Sequence, residues 1–418
     1  MGGVRVGTRV ASPLRQYLTV FRSLSRDAKL LLAAGALESI PFGVLGVALP
    51  LYLKFLGYSE IVIGSVFSVL GGTAVILIVP FGLLADRIGR RPLLLVGGVL
   101  MGLSFLLMPF AENLTMLYIA AIVGGLSEAL FFSTLQALLA DATTPENRTA
   151  VFGISFFLGA AATAAGALAS SVPEILQGRG WAIVPAYAVL FVTAGAVLLL
   201  TPVILFRVRV TGQTKAKDAS LFPRRSASLI SRFFVSNIII GLGAGLVVPI
   251  FSLWFFLKYD QRESFTGPLF ALGAAINAFA SLVAPFLAKR QGLVRTGVLL
   301  QGSATLLLFL MAVTYSLPAA AMLYLGRNML MNMTWPVMAS FLMGAVHPEE
   351  RSSASAVVGL SFRLPFAVST TFGAAMMASA VDLPLLVTAG LYAVGTAAFW
   401  VFFRTVPAPG PAVPAAAH

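Results

Sequence analysis

Apolar residues run along this chain in stretches of about twenty, broken by short polar turns, with no sustained alternation of apolar and polar positions. A bilayer core of about 30 Å needs roughly 20 apolar residues per crossing helix, whereas a barrel strand needs only about 10 and alternates. The pattern therefore predicts helices, at 29–53, 61–84, 93–110, 115–140, 150–172, 181–206, 229–257, 267–288, 296–316, 319–346, 354–378 and 384–404. The fold class is an all-α membrane protein with twelve transmembrane helices. Composition agrees: 59% of residues are hydrophobic, 10% are charged, and the mean hydropathy is +0.95, far from an ordinary soluble domain.

The chain repeats itself. "TTPENR", ending at Arg148, answers "VHPEER", ending at Arg351; "GVALP" before Leu51 answers "GLVVP" before Ile250; and "VPFGLLADRIG" from Val79 has a worn echo in "APFLAKRQG" from Ala284. Two pseudo-symmetric six-helix bundles follow, at 29–206 and 229–404, joined by the polar, basic linker 207–228. Residues 1–28 and 405–418 form terminal segments. In the first of these, Leu14, Leu18, Phe21 and Leu24 recur at helical spacing with Arg15, Arg22 and Arg26 between them. That suits either a short helix lying on the membrane surface or a disordered tail.

Basic residues orient the chain. With both termini cytoplasmic, only Lys54, Arg179, Lys258 and Arg262 fall in loops on the other side, so the positive-inside rule places the chain in a cytoplasmic (inner) membrane with its termini inside. The net charge of +13 then reflects loops beside anionic lipid rather than nucleic acid, which is rejected as a partner. With no cysteine, and with its two histidines, His347 and His418, far apart in sequence, the chain shows no metal-ligand cluster and calls for no cofactor. No phosphate-binding lysine loop is present, so ATP is not the expected driver.

The loop "GLLADRIGRR", Gly82 to Arg91, is unusually charged between two apolar spans. Together with the six-plus-six plan, it resembles the signature of the major facilitator superfamily, G-x-x-x-D-R-x-G-R-R/K, matched here by Gly82, Asp86, Arg87, Gly89, Arg90 and Arg91. The resemblance implies a single-chain carrier, expected as a monomer, that moves a small molecule by rocking one half against the other. It also implies that Asp86 acts as a latch against the N-terminal end of helix eleven, where the helix dipole offers roughly 0.3–1 kcal/mol. Gly82 would let helix two approach helix eleven. The second half departs from the pattern, with Lys289 in place of the acid.

Four charges fall within spans: Glu38, Glu128, Arg327 and Arg363. Each costs roughly 2.5–3.5 kcal/mol at a helix centre, on the order of 10–14 kcal/mol together, so none is expected to face lipid. By the resemblance, helices one, four, seven and ten line a central cavity, which places Glu38, Glu128 and Arg327 there and Arg363 at its edge. A carboxyl group taken out of water favours its neutral form, so Glu38 and Glu128 are candidates for proton coupling, with Glu128 preferred because its small neighbours in "GGLSEALFF" leave room around it. The alternative is that these charges form structural ion pairs, or that the acids are simply protonated and hydrogen-bonded.

Asn237, Gln136, Asn277, Asn328, Asn332 and Trp335 are the other polar candidates for the substrate site, with "GRNMLMNMTWP" concentrating Arg327, Asn328, Asn332 and Trp335 on helix ten. A proton-coupled exporter of amphiphilic or drug-like compounds is the leading expectation, although the glycine-proline run of antiporters is missing from "FFLGAAATAAGALAS". The alternative is a proton symporter that takes up an organic anion clamped by Arg327 and Arg363.

Overall fold

The computed structural model describes residues 20–144, 147–209 and 225–405. Leu14, Arg15 and Leu18 of the terminal segment, 210–224 of the linker and 406–418 of the tail lie outside the described residues, as does the side chain of Asp86. The amino-terminal half comprises α1 (Arg26–Leu37), α2 (Ile40–Phe55), α3 (Glu60–Ile88), α4 (Arg90–Leu107), α5 (Leu114–Asp141), α6 (Arg148–Ala169), α7 (Val172–Gln177), α8 (Ile183–Leu198) and α9 (Leu200–Phe206). The carboxy-terminal half comprises α10 (Ala227–Val247), α11 (Phe251–Tyr259), α12 (Glu263–Gln291), α13 (Leu293–Val313), α14 (Leu317–Ala345), α15 (Arg351–Ser379) and α16 (Leu383–Phe403). No strand occurs among the described residues.

Among the described residues, ten helical stretches are long and apolar enough to cross a bilayer. Two more, α12 and α14, are each 29 residues long and stand where the eighth and tenth spans are expected. The tenth is interrupted by Arg327, Asn328 and Asn332. Helices are forced because hydrocarbon offers no partner to a backbone N–H or C=O, so each segment must bond within itself.

The repeat read from the sequence is visible in the backbone. Gly89 and Gly292 share an unusual conformation, φ 91° and 82°, at the sharp turns after α3 and α12. A side chain there would be strained, and glycine is the residue that accepts it. Gly57 at φ 87° is matched by Asp260 at φ 54°, each ending a first span of its half.

The halves meet at the end that holds Gly57 and Asp260 and part toward the end that holds Gly89 and Gly292. One hydrophobic core at the first end draws on both halves, with Tyr52, Phe105 and Phe191 from one and Phe251, Trp254 and Tyr324 from the other. Toward the other end the cores are separate, around Leu31, Leu94 and Leu205 in one half and Phe233, Phe341 and Phe403 in the other.

Small residues set where α3 and α15 touch. A Cβ placed on Gly64 would lie 2.5 Å from that of Ala374, and one on Gly71 would lie 3.1 Å from that of Ala367, while one on Gly82 meets nothing within 4 Å. Between them Thr371 Oγ1 and Ser68 Oγ hydrogen-bond at 2.8 Å. In this conformation the close approach is made by Gly64 and Gly71, because the helices diverge before Gly82 is reached.

A polar cluster locks the same end. Tyr187 on α8 donates to the Glu263 carboxylate on α12, and Ser171 Oγ donates to the Glu263 carbonyl at 3.0 Å. Glu174 on α7 accepts from the Ser264 N–H at 2.7 Å. Arg262 reaches Gln177 Oε1 at 3.1 Å and lies 4.5 Å from the Phe55 ring. Glu263, which a sequence reading assigns to a loop, is fully buried at 0% exposure.

At the opposite end Glu350 accepts from the backbone N–H groups of Arg225 and Ser226, each at 2.8 Å, and so caps the approach to α10. Desolvation pushes its carboxyl up, but these bonds outweigh it and hold the group below the ordinary carboxylate range.

Two outcomes test this architecture. Tyr187→Phe leaves a buried carboxyl oxygen without its donor, at about 1–3 kcal/mol, so spin-label distances across the locked end should show the opposite state enriched by about fivefold or more. An unchanged distribution would reduce the Tyr187 contact to packing. Because the Glu350 group is depressed in the folded chain, its contribution is present above about pH 5 and lost as pH falls through the folded value. Thermal unfolding of Glu350→Gln should therefore differ from wild type at pH 7 and converge with it in acid.

Candidate functional site

A cavity of about 590 Å³ lies between the halves. Its walls come from the junction of α1 and α2 (Glu38, Ser39, Phe42), from α5 (Phe131, Gln136), from α6 (Phe152, Ser155, Phe156, Thr163), and across the gap from α12 (Asn277) and α14 (Asn332). Most of the surface is apolar and aromatic, with a few polar groups converging on it, the usual make-up of a small-molecule site.

Glu38 sits where the first span breaks. Pro41 has no N–H to give and its ring crowds the carbonyl four residues back, so α1 ends at Leu37 and α2 starts at Ile40. The break is stitched by side chains: Ser39 Oγ donates to the Gly35 carbonyl at 2.9 Å, and Thr163 Oγ1 donates to the Ser39 carbonyl at 3.1 Å. Irregular backbone at this depth is tolerated where it borders a cavity. Glu38 is only 5% exposed, with Thr201 of α9 beside its carboxyl group, and its Oε1 has no hydrogen-bond partner among the described residues. Asn277 Oδ1, across the cavity, is likewise unpartnered.

The other intramembrane acid meets a base. Glu128 Oε1 on α5 lies 3.9 Å from Arg363 Nη1 on α15, so this pair bridges the halves. Both side chains keep some exposure, 24% and 34%. At 4 Å and an effective dielectric of 20, Coulomb's law gives about 4 kcal/mol, which partial exposure reduces to about 1 kcal/mol.

Arg327 is a correction. It does not line the cavity: it is 3% exposed inside the carboxy-terminal half, where Nη2 donates to Tyr392 Oη at 2.8 Å and the guanidinium lies 5.3 Å from the Phe251 ring. Helix ten presents its polar cluster on more than one side, which spacing alone could not separate. Asn332 faces the cavity and donates to the Asn328 carbonyl at 2.8 Å. Asn328 lies against Gly273 of α12. Trp335 is 53% exposed with its ring edge-on to Phe362, and Asn237 binds the Val358 carbonyl at 3.5 Å, tying α10 to α15. Gln136 stands at the cavity rim.

The charged loop is held to its own half. Arg90 Nη1 pairs with Asp141 Oδ2 at 2.7 Å, and Arg91 Nη2 donates to the Phe206 carbonyl at 2.5 Å while lying 5.7 Å from that ring. Arg87 is exposed. No group of three histidine or acidic side chains able to hold a metal ion occurs among the described residues.

Sequence reasoning missed the aromatic wall of Phe42, Phe131, Phe152 and Phe156, because an apolar residue within an apolar run carries no mark of the cavity. It also missed Glu263; the one available signal was Glu60, which opens α3 as Glu263 opens α12.

Residues 31–370 match the family model described as Major Facilitator Superfamily. The chain belongs to this superfamily. Members are transporters rather than enzymes, and they bind small molecules as single-chain units. Among the curated relatives, the chain is 29% identical over 231 residues to the multidrug resistance protein MdtG of Escherichia coli, covering 52% of this chain and 54% of that one. It is 31% identical over 168 residues to the uncharacterized membrane protein YJR124C of Saccharomyces cerevisiae, covering 39% and 38%. The matched segments thus span about half or less of these relatives. In fold it is similar to the nucleoside transporter NupG, with a TM-score of 0.74 at 12% identity over 90% of this chain and 98% of that one. It is also similar to a bacterial homologue of the human lysosomal transporter Spinster in an inward-facing, occupied conformation, with a TM-score of 0.74 at 15% identity over 94% and 98%.

A double-mutant cycle on Glu128→Ala and Arg363→Ala, read by thermal unfolding, should return a coupling of about 1 kcal/mol. Strict additivity would show that the pair does not interact.

Proposed function

We propose that this transporter is a proton-coupled secondary carrier that exports amphiphilic, drug-like compounds across the cytoplasmic membrane by alternating access, with both termini cytoplasmic. The observation that carries the reading is Glu38: a carboxyl group buried at a helix break, unpartnered at one oxygen, on the wall of an aromatic cavity shared by both halves. Such a group holds either a proton or a cation, because a bare buried charge is too costly. Competition between the two for one carboxylate is the chemistry of an antiporter. The partial similarity to MdtG, a multidrug resistance protein by name, supports the same substrate class.

In this orientation the open end faces the cytoplasm. A cationic amphiphile enters there, stacks on Phe42 and Phe156 and displaces the proton from Glu38. Glu128, tied to Arg363 across the halves, senses their relative position rather than binding the solute, and a proton on Glu128 would loosen that tie. Closing the cytoplasmic end would bring the Gly82–Asp86 side of α3 toward the start of α15, where Asp86 latches on the helix dipole. A one-for-one exchange of a proton for a monovalent cation moves no net charge, so the pH difference drives it, and each pH unit, about 1.4 kcal/mol, sustains about a tenfold solute gradient.

The anion-symport reading needs Arg327 and Arg363 as a clamp. Arg327 is instead engaged by Tyr392 and Arg363 faces Glu128, so among the described residues the two guanidinium groups do not converge as a clamp.

In liposomes with an imposed pH gradient, wild type should accumulate a cationic amphiphile, and Glu38→Gln should lose uphill accumulation while retaining downhill flux. Uphill transport by both Glu38→Gln and Glu128→Gln at the wild-type level would end the coupling proposal.

A further inference from the structure

At the open end a second kind of cavity lies on the outside of the carboxy-terminal half. An apolar groove of about 640 Å³ runs between α13 and α16, past Leu299 and Ala397. Next to it a pocket of about 330 Å³ is lined by Gln291, Arg295, Arg404 and Thr405. The two share Arg295 and Trp400, so one ligand with an apolar tail and a polar head can occupy both. Both arginines are exposed, and neither meets an acidic side chain among the described residues.

We propose that this is a binding site for an anionic phospholipid, with the headgroup phosphate between Arg295 and Arg404 and an acyl chain in the groove. Any lipid tail would satisfy the groove; the two arginines select the charge, since a basic residue near the surface favours an anionic headgroup by severalfold. Trp400 stands at the junction of head and tail, the depth at which amphipathic rings gather in membranes.

The amino-terminal half supplies an internal comparison. The same groove recurs between α4 and α9, also about 640 Å³, with Val99 standing where Gly302 stands in the repeat. There Arg207 borders the groove, but Arg91 is engaged by the Phe206 carbonyl. One available arginine in place of two makes this the weaker site. Each groove lies within a single half, so occupancy stabilises that half without favouring either state of the carrier.

The test is native mass spectrometry of the full-length purified chain with dioleoyl phosphatidylglycerol and, with the same tails, dioleoyl phosphatidylcholine. Wild type should retain the glycerol lipid preferentially. The pair Arg295→Gln and Arg404→Gln should bind it about thirtyfold more weakly, the pair Arg295→Lys and Arg404→Lys should restore it, and Arg207→Gln should keep the stronger site. Wild-type thermal unfolding without added lipid establishes that each variant is folded. Equal retention of the two lipids by wild type, undiminished binding by the glutamine pair, or displacement by inorganic phosphate alone would each overturn the proposal.

Discussion

Contact between α3 and α15 at Gly64, Ser68 and Gly71 gives the structure its shape. In lipid there is no hydrophobic gain from bringing two apolar helices together, so association rests on close packing and on bonds between helices. Small residues allow that packing at one end only, and the helices separate before Gly82. The cavity, its opening and the division into one shared core and separate half-cores all follow from where the small residues stop. The Tyr187–Glu263 and Glu174–Ser264 bonds add polar closure to the same end.

Each intramembrane charge is accommodated in a different way. Arg327 donates to the Tyr392 hydroxyl and is covered by aromatic rings within one half, a structural solution. Glu128 and Arg363 neutralise each other across the two halves, so their energy depends on how the halves are placed. Glu38 is buried without a full set of partners and borders the cavity. Only the last two arrangements tie charge to ligand or to conformation, which is why the functional reading rests on them and not on Arg327.

Much of the architecture was legible in advance. Run length gave the helices, and matching turns gave the repeat, which Gly89 and Gly292 bear out in their shared backbone geometry. Gly89, Arg90 and Arg91 were legible as a motif, yet their partners were not: Asp141 and Phe206 lie far along the chain and belong to helices whose ends meet only after folding. In this conformation the approach of α3 to α15 is made by Gly64 and Gly71, which have no motif around them.

The sequence by itself determined that this chain is a bundle of membrane helices in two related halves and which few residues bring charge into it, because the cost of polar groups in hydrocarbon leaves a mark on composition that needs no coordinates. The direction in which those residues face was decided by the tertiary structure. A helix apolar on every side has no amphipathic stripe to separate lipid, neighbour and cavity, so the rotation of each span is set by packing against the others. That packing turned Arg327 inward to Tyr392, brought Glu128 to Arg363, buried Glu263 and left Glu38 at the edge of the cavity.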